Sequence, residues 1–194
     1  IISLFFVFFN YENNFLNILV SITSSVSNIG ISLSNNSTNL SFLFLIIVII
    51  GGSFFSTSSG IRLLKIYTLF KYSLNEILSY SKPNNIFTNK FHFIDINIEQ
   101  SDINKYFLSV LIFVISLFTI SSLLSIFGIN FESSFKLGIL TLMNTVNSTM
   151  YGLSSFDFFE LNSYSKLAMI IFMIVGRVEL LTILIIAKKF LFKN

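Results

Sequence analysis

The sequence predicts an all-α polytopic membrane protein built from repeated helix–pore-loop–helix units, and three observations carry that prediction. Hydrophobic residues make up 54% of the 194 residues and charged ones only 11%, with a mean hydropathy of +0.82. A soluble domain carries about 25% charged residues, so a water-facing surface here would be starved of charge. Apolar stretches of two lengths alternate along the chain, one long enough to cross a bilayer and one about half as long. Each shorter stretch runs into a polar, conformationally permissive segment.

Composition also excludes several functions. The net charge of +3 comes from twelve Lys and Arg spread along the chain. No basic patch interleaves with aromatics, so nucleic acid is not an expected partner. The absence of Cys rules out disulfides and thiolate sites. His92 alone cannot assemble a metal site, and no tightly bound cofactor is expected.

Taken in order, Ile1–Phe9 is apolar from the first residue and lacks a basic flank or a small-residue cleavage site. It reads as the end of a truncated spanning helix, and the chain as part of a longer one. Phe15–Val26 is the first short stretch, about 18 Å long as a helix and too short to span. "SNIGISLSNN" follows it. Leu40–Tyr80 is long enough to span but is broken by "GGSFFSTSSG" (Gly51–Gly60). Residues 81–103 form a polar loop, in which "KFHFIDINIE" alternates near period two and predicts a small hairpin. Asn104–Phe127 and Tyr164–Ala187 are full spans. Between them lies the second short stretch, Phe135–Val146, followed by "NSTMYGLSS". Half-length helices followed by irregular backbone predict re-entrant loops, which membranes tolerate only where they line a cavity or are buried in protein.

Charge sets the orientation. Arg62, Lys65, Lys71, Lys82 and Lys90 precede the first full span, Lys105 stands at its start, and Lys188, Lys189 and Lys193 follow the last. The positive-inside rule makes both groups, and the C-terminus, cytoplasmic. An even number of crossings then separates them, so Phe135–Val146 enters and returns on the outer side. Lys136 and Lys166 are exceptions there. A repeat follows: residues 1–80 and 104–194 read alike, and "LFLIIVIIGG" (Leu43–Gly52) falls on "AMIIFMIVGR" (Ala168–Arg177) at an offset of 125. The short segments pair less cleanly, at an offset near 118 to 120.

This arrangement suits cations. A half-helix entering from outside aims its partially negative C-terminal end at the membrane centre. Extended residues after it can point backbone carbonyls at an axis and replace an ion's hydration shell. Such a strand needs a residue that accepts unusual backbone angles, and Gly30 in "VSNIGIS" supplies one.

"IIGGSFFSTSSGIRLLKIYTLFKYSLNEILSYSKPN" resembles the Gly-Gly…Ser-Thr-x-x-Gly-(Ile/Leu)-(Arg/Lys) segment of the Trk/Ktr/HKT potassium transporter superfamily, and within it the TrkH-like translocating subunit. "MIVGRVELLTILII" resembles its Gly-Arg-x-Glu signature. The resemblance covers essentially the whole chain as the third and fourth of four pore-loop repeats, half of a four-repeat cation pore. It implies translocation of potassium, with sodium as the other candidate ion, and places one filter strand on Val26, Ser27, Asn28, Ile29 and Gly30. The other falls on Thr145, Val146, Asn147 and Ser148. Ser148 stands where the family has Gly, and in plant relatives a filter Gly-to-Ser change accompanies sodium permeability. The resemblance makes Gly51–Gly60, with Gly51, Gly52 and Gly60, an intramembrane gating loop, whose other reading is a static kink. It also implies membrane lipid, a homodimer and a cytoplasmic nucleotide-binding regulatory subunit as partners, in the cell (inner) membrane.

Arg177 lies near the middle of the last span, where an unpaired Arg costs about 2.5–3.5 kcal/mol on insertion scales and must face protein or water. It reads as an electrostatic gate under the filter, or as an anchor bonding to loop carbonyls. Glu179, two residues on, does not share its face and reads as a packing residue. An enzyme would need clustered acids, His or nucleophiles at membrane depth, and none is present. A transporter of organic solutes would want side chains lining a midplane cavity. A non-conducting structural subunit is the remaining alternative.

Overall fold

The computed structural model describes residues 15–31, 41–50, 61, 63–81, 100–147, 149–153, 158–159 and 161–177. The described residues are helical, with no strand among them. Six α-helices follow one another: α1 Phe15–Val26, α2 Ser41–Ile50, α3 Leu63–Ser81, α4 Gln100–Ile126, α5 Phe131–Met143 and α6 Ser163–Arg177. A 3-10 turn, Thr149–Tyr151, lies between α5 and α6. The expected hairpin in the 81–103 loop, Ser148, the Gly51–Gly60 segment and Glu179 lie outside the described residues, as does the last span beyond Arg177.

Only α4 is both long and apolar enough to cross a membrane among the described residues, over Asp102–Ile126. Its 27 residues would reach about 40 Å as a straight helix. One stripe of it, including Phe107, Leu111, Val114 and Phe118, stays exposed, while Phe113, Leu117, Ile120 and Leu124 are buried. Both stripes are apolar, which suits a helix between lipid and protein. Hydroxyls along it bond back to its own carbonyls, as Ser121 Oγ does to Leu117 O and Ser122 Oγ to Phe118 O, each at 2.8 Å. Such pairing satisfies these two hydroxyls without water. Toward its N-terminal end, buried Lys65 of α3 donates to Ser109 Oγ at 3.2 Å.

Short α5 is the centre of the fold. It packs against α4, α6 and α2, and an unbroken run from Leu137 to Met143 is buried. Gly138 permits the close approach to α4: a Cβ there would sit 2.9 Å from Ser121 Oγ and 3.1 Å from Ile120 Cγ2. On the far side α1 packs on α2, whose Phe44 and Val48 are fully buried.

The sequence-expected bounds of the first half-helix, Phe15–Val26, coincide with α1. Those of the second do not. The expectation was Phe135–Val146, whereas α5 runs from Phe131 to Met143. Polar "ESS" joins the helix because Glu132 and Lys136 pair across one turn at 2.6 Å and Ser134 N–H bonds to Asn130 O at 2.8 Å. The helix stops three residues early because Asn144 turns left-handed, at φ 54° and ψ 36°. The same pair gives Lys136, an exception to the expected charge distribution, its own acid. Lys136 holds the exposed Glu132 carboxyl below its usual range, chiefly through the hydrogen bond. Lys166 donates to Phe159 O at 3.2 Å.

Candidate functional site

Both half-helices end in the same way. Asn28 after α1 and Asn144 after α5 take positive φ, 57° and 54°. Asn tolerates this region better than other side chains, because its short polar side chain can bond locally. The next N–H in each case reaches back five residues, Ile29 N to Ser24 O at 3.0 Å and Thr145 N to Leu140 O at 2.9 Å. Helix geometry is thereby converted to extended chain within two residues.

The first loop is then fixed by Ser24, whose side chain accepts from Ile31 N–H at 2.7 Å. Burial alternates along it: Asn28 and Gly30 are buried, Ile29 and Ile31 exposed. Thr145 and Val146 repeat that alternation, buried then exposed. Val26, though placed in the filter strand by sequence, is the last residue of α1, and Ser27 is in the turn, its hydroxyl bonding back to Thr23 O at 2.8 Å.

The two loops meet. Val146 N–H donates to Ile29 O at 3.2 Å. Gly30, at φ +85°, lies so close that a Cβ there would overlap Val146 O and stand 2.8 Å from Thr145 Cγ2. Only glycine meets both demands, the positive φ and the absence of a side chain. Behind the loops, Ser25 Oγ touches Met150 Sδ at 3.7 Å, joining α1 to the turn that follows the second loop. Polar side chains concentrate here. Among the described residues, the Asn28 amide, Thr145 hydroxyl and Asn147 carbonyl are buried without a protein hydrogen-bond partner. A buried polar group left unmet costs about 1–3 kcal/mol, so such a cluster is unusual away from a functional region.

Of the predicted residues, Ile29, Gly30, Thr145 and Val146 are thus brought into contact. Asn28 and Asn147 flank them, while Arg177 is exposed at the end of the described part of α6. The matching turns set the loops 116 residues apart, Asn28 on Asn144, rather than 118 to 120. On that register Gly30 corresponds to Val146, whose φ is not positive. Sequence reasoning missed Ser24, Asn144 and Gly176. The signal for Asn144 was a lone Asn closing an apolar run, a C-cap pattern. Gly176 carried only its place in the Gly-Arg motif.

An all-helical membrane fold in which half-helices end in apposed extended loops defines a pore-loop membrane protein. The chain belongs to the TrkH family, described as cation transport proteins, whose family model matches residues 23–193. No curated protein sequence matches it. Among solved structures it is similar to the potassium transporter TrkH from Vibrio parahaemolyticus, with a TM-score of 0.77 and 21% identity. That match covers 89% of this chain and 36% of the transporter, so the chain spans little more than a third of its length.

Proposed function

We propose that this chain supplies two of the four pore-loop repeats, residues 1–80 and 104–194, of a potassium-translocating subunit of a Trk-type uptake system. Sodium is the second permeant ion. The observation that carries the reading is the contact between the two loops, with Val146 N–H on Ile29 O and Gly30 wedged against Val146 O. Two half-helices converge there and direct the negative ends of their dipoles toward one place, where a cation is stabilised. The potassium transporter that shares the fold makes potassium the first candidate.

In this reading Val26–Gly30 and Thr145–Ser148 form adjacent quarters of the filter. Arg177 and the loop of Gly51, Gly52 and Gly60 form the gate beneath it. The subunit sits in the cell membrane with its C-terminus cytoplasmic, pairs with a second copy, and takes a nucleotide-binding regulatory subunit on the cytoplasmic face. Purified full-length protein in liposomes tests the reading: it should take up potassium or rubidium down a gradient, in competition with sodium. Uptake equal to that of empty liposomes, with the protein correctly inserted, would refute it.

A further inference from the structure

The end of the second half-helix is held against α6 by two contacts outside the filter. Asn144 Nδ2 donates to Met173 O at 2.9 Å. Near the end of α6, a Cβ on Gly176 would overlap the Leu142 carbonyl oxygen and lie 2.9 Å from its carbonyl carbon and 3.1 Å from its Cα. The obstacle is backbone, so no rotamer change relieves it. Asn144 also ends α5 through its left-handed turn, and Thr145 and Val146 follow it directly. Gly176 in turn is followed by Arg177. A shift of α6 at residues 173–177 therefore passes to residue 144 and on to the loop, because Gly176 meets Leu142 backbone against backbone and the Asn144 side chain holds the Met173 carbonyl directly. Among the described residues the first loop shows no such tie: Asn28 makes the same turn, but its amide has no partner there.

We infer that Asn144 and Gly176 are positioning residues that lock the second loop to α6, so that the placement of the helix segment bearing Arg177 sets the ion preference of the filter. The inference rests on the cation-pore reading. Asn144→Gly tests it with little disturbance of the backbone, since Gly keeps the left-handed turn and removes the side-chain bond to Met173 O. Gly176→Ala tests the same joint from the other side.

Reversal potentials of the full-length protein in mixed potassium and sodium gradients give the permeability ratio. Each variant should change that ratio by about threefold or more, the size of one lost hydrogen bond. The double variant should change it by no more than the larger single effect, because both break one joint. A merely structural role would lower the amount of active protein and leave the ratio alone. A wild-type ratio in Asn144→Gly overturns the inference even where Gly176→Ala does not assemble, and so do independent effects that multiply in the double variant. A wild type that conducts neither ion overturns the pore reading and the inference with it. A conducting wild type with an unchanged Asn144→Gly ratio overturns the inference alone.

Discussion

At the scale of the residue, the loops depend on backbone conformations that few side chains allow. Asn28, Gly30 and Asn144 have positive φ, and Gly30 also needs the space that a side chain would fill. Ser148 is the position where the family resemblance and the turn geometry give different registers. On the family register Ser148→Gly should raise the potassium-over-sodium ratio, as read by reversal potential. An unchanged ratio would favour the register of the turns, which matches Gly30 with Val146. Arg177 carries a separate prediction. On the gate reading Arg177 is a positive barrier that slows cations, so Arg177→Ala should increase potassium flux per protein or loosen its regulation. Lower flux at normal expression and normal dimer content would make Arg177 an anchor. Gly30 was legible from the sequence only through its place after a half-helix in a repeated unit, since Asn-Ile-Gly alone reads as a solvent turn. Ser24 was not, since nothing in a serine-rich run marks the one whose oxygen accepts from Ile31 N–H.

At the scale of the element, α1 and α5 show what hydropathy can and cannot locate. The bounds of α1 were readable because its apolar run and its helix coincide. Those of α5 were not, because the helix takes in "ESS", where the Glu132–Lys136 ion pair and the first backbone hydrogen bond outweigh the polarity, and ends where Asn144 turns. A hydropathy reading follows side-chain polarity, whereas the ends of a helix follow backbone hydrogen bonds. The centre of α5 gives a stability prediction. A Cβ on Gly138 would lie 2.9 Å from Ser121 Oγ and 3.1 Å from Ile120 Cγ2 of α4, so Gly138→Leu must force the helices apart. Overpacking of this kind costs about 1–3 kcal/mol. The purified variant should melt several degrees below wild type in detergent, and an unchanged melting temperature would mean that the α4–α5 seam has slack.

At the scale of the whole molecule, the all-helical membrane architecture was legible from composition and the alternation of long and short apolar runs. The contact between the two loops was not, since it joins residues far apart in the chain and depends on both turns at once. Orientation is open to a direct test in this cysteine-free sequence. Cysteines placed at Asp157 and at Lys90 should react with impermeant reagents from opposite sides of the membrane in intact cells. Labelling from one side would remove the re-entrant assignment of α5. The central claim is that Gly30 and Val146 bring two half-helix loops together as adjacent walls of one cation path. The measurement that bears on it most directly is the reversal potential of the full-length protein and of its Gly30→Ser variant, in opposing potassium and sodium gradients. Ser at this position meets both the positive φ and the Val146 carbonyl, so the path should open to sodium. The account predicts a wild-type potential near that of potassium and a shift toward sodium in the variant. Identical potentials in the two proteins, with both conducting, would contradict it.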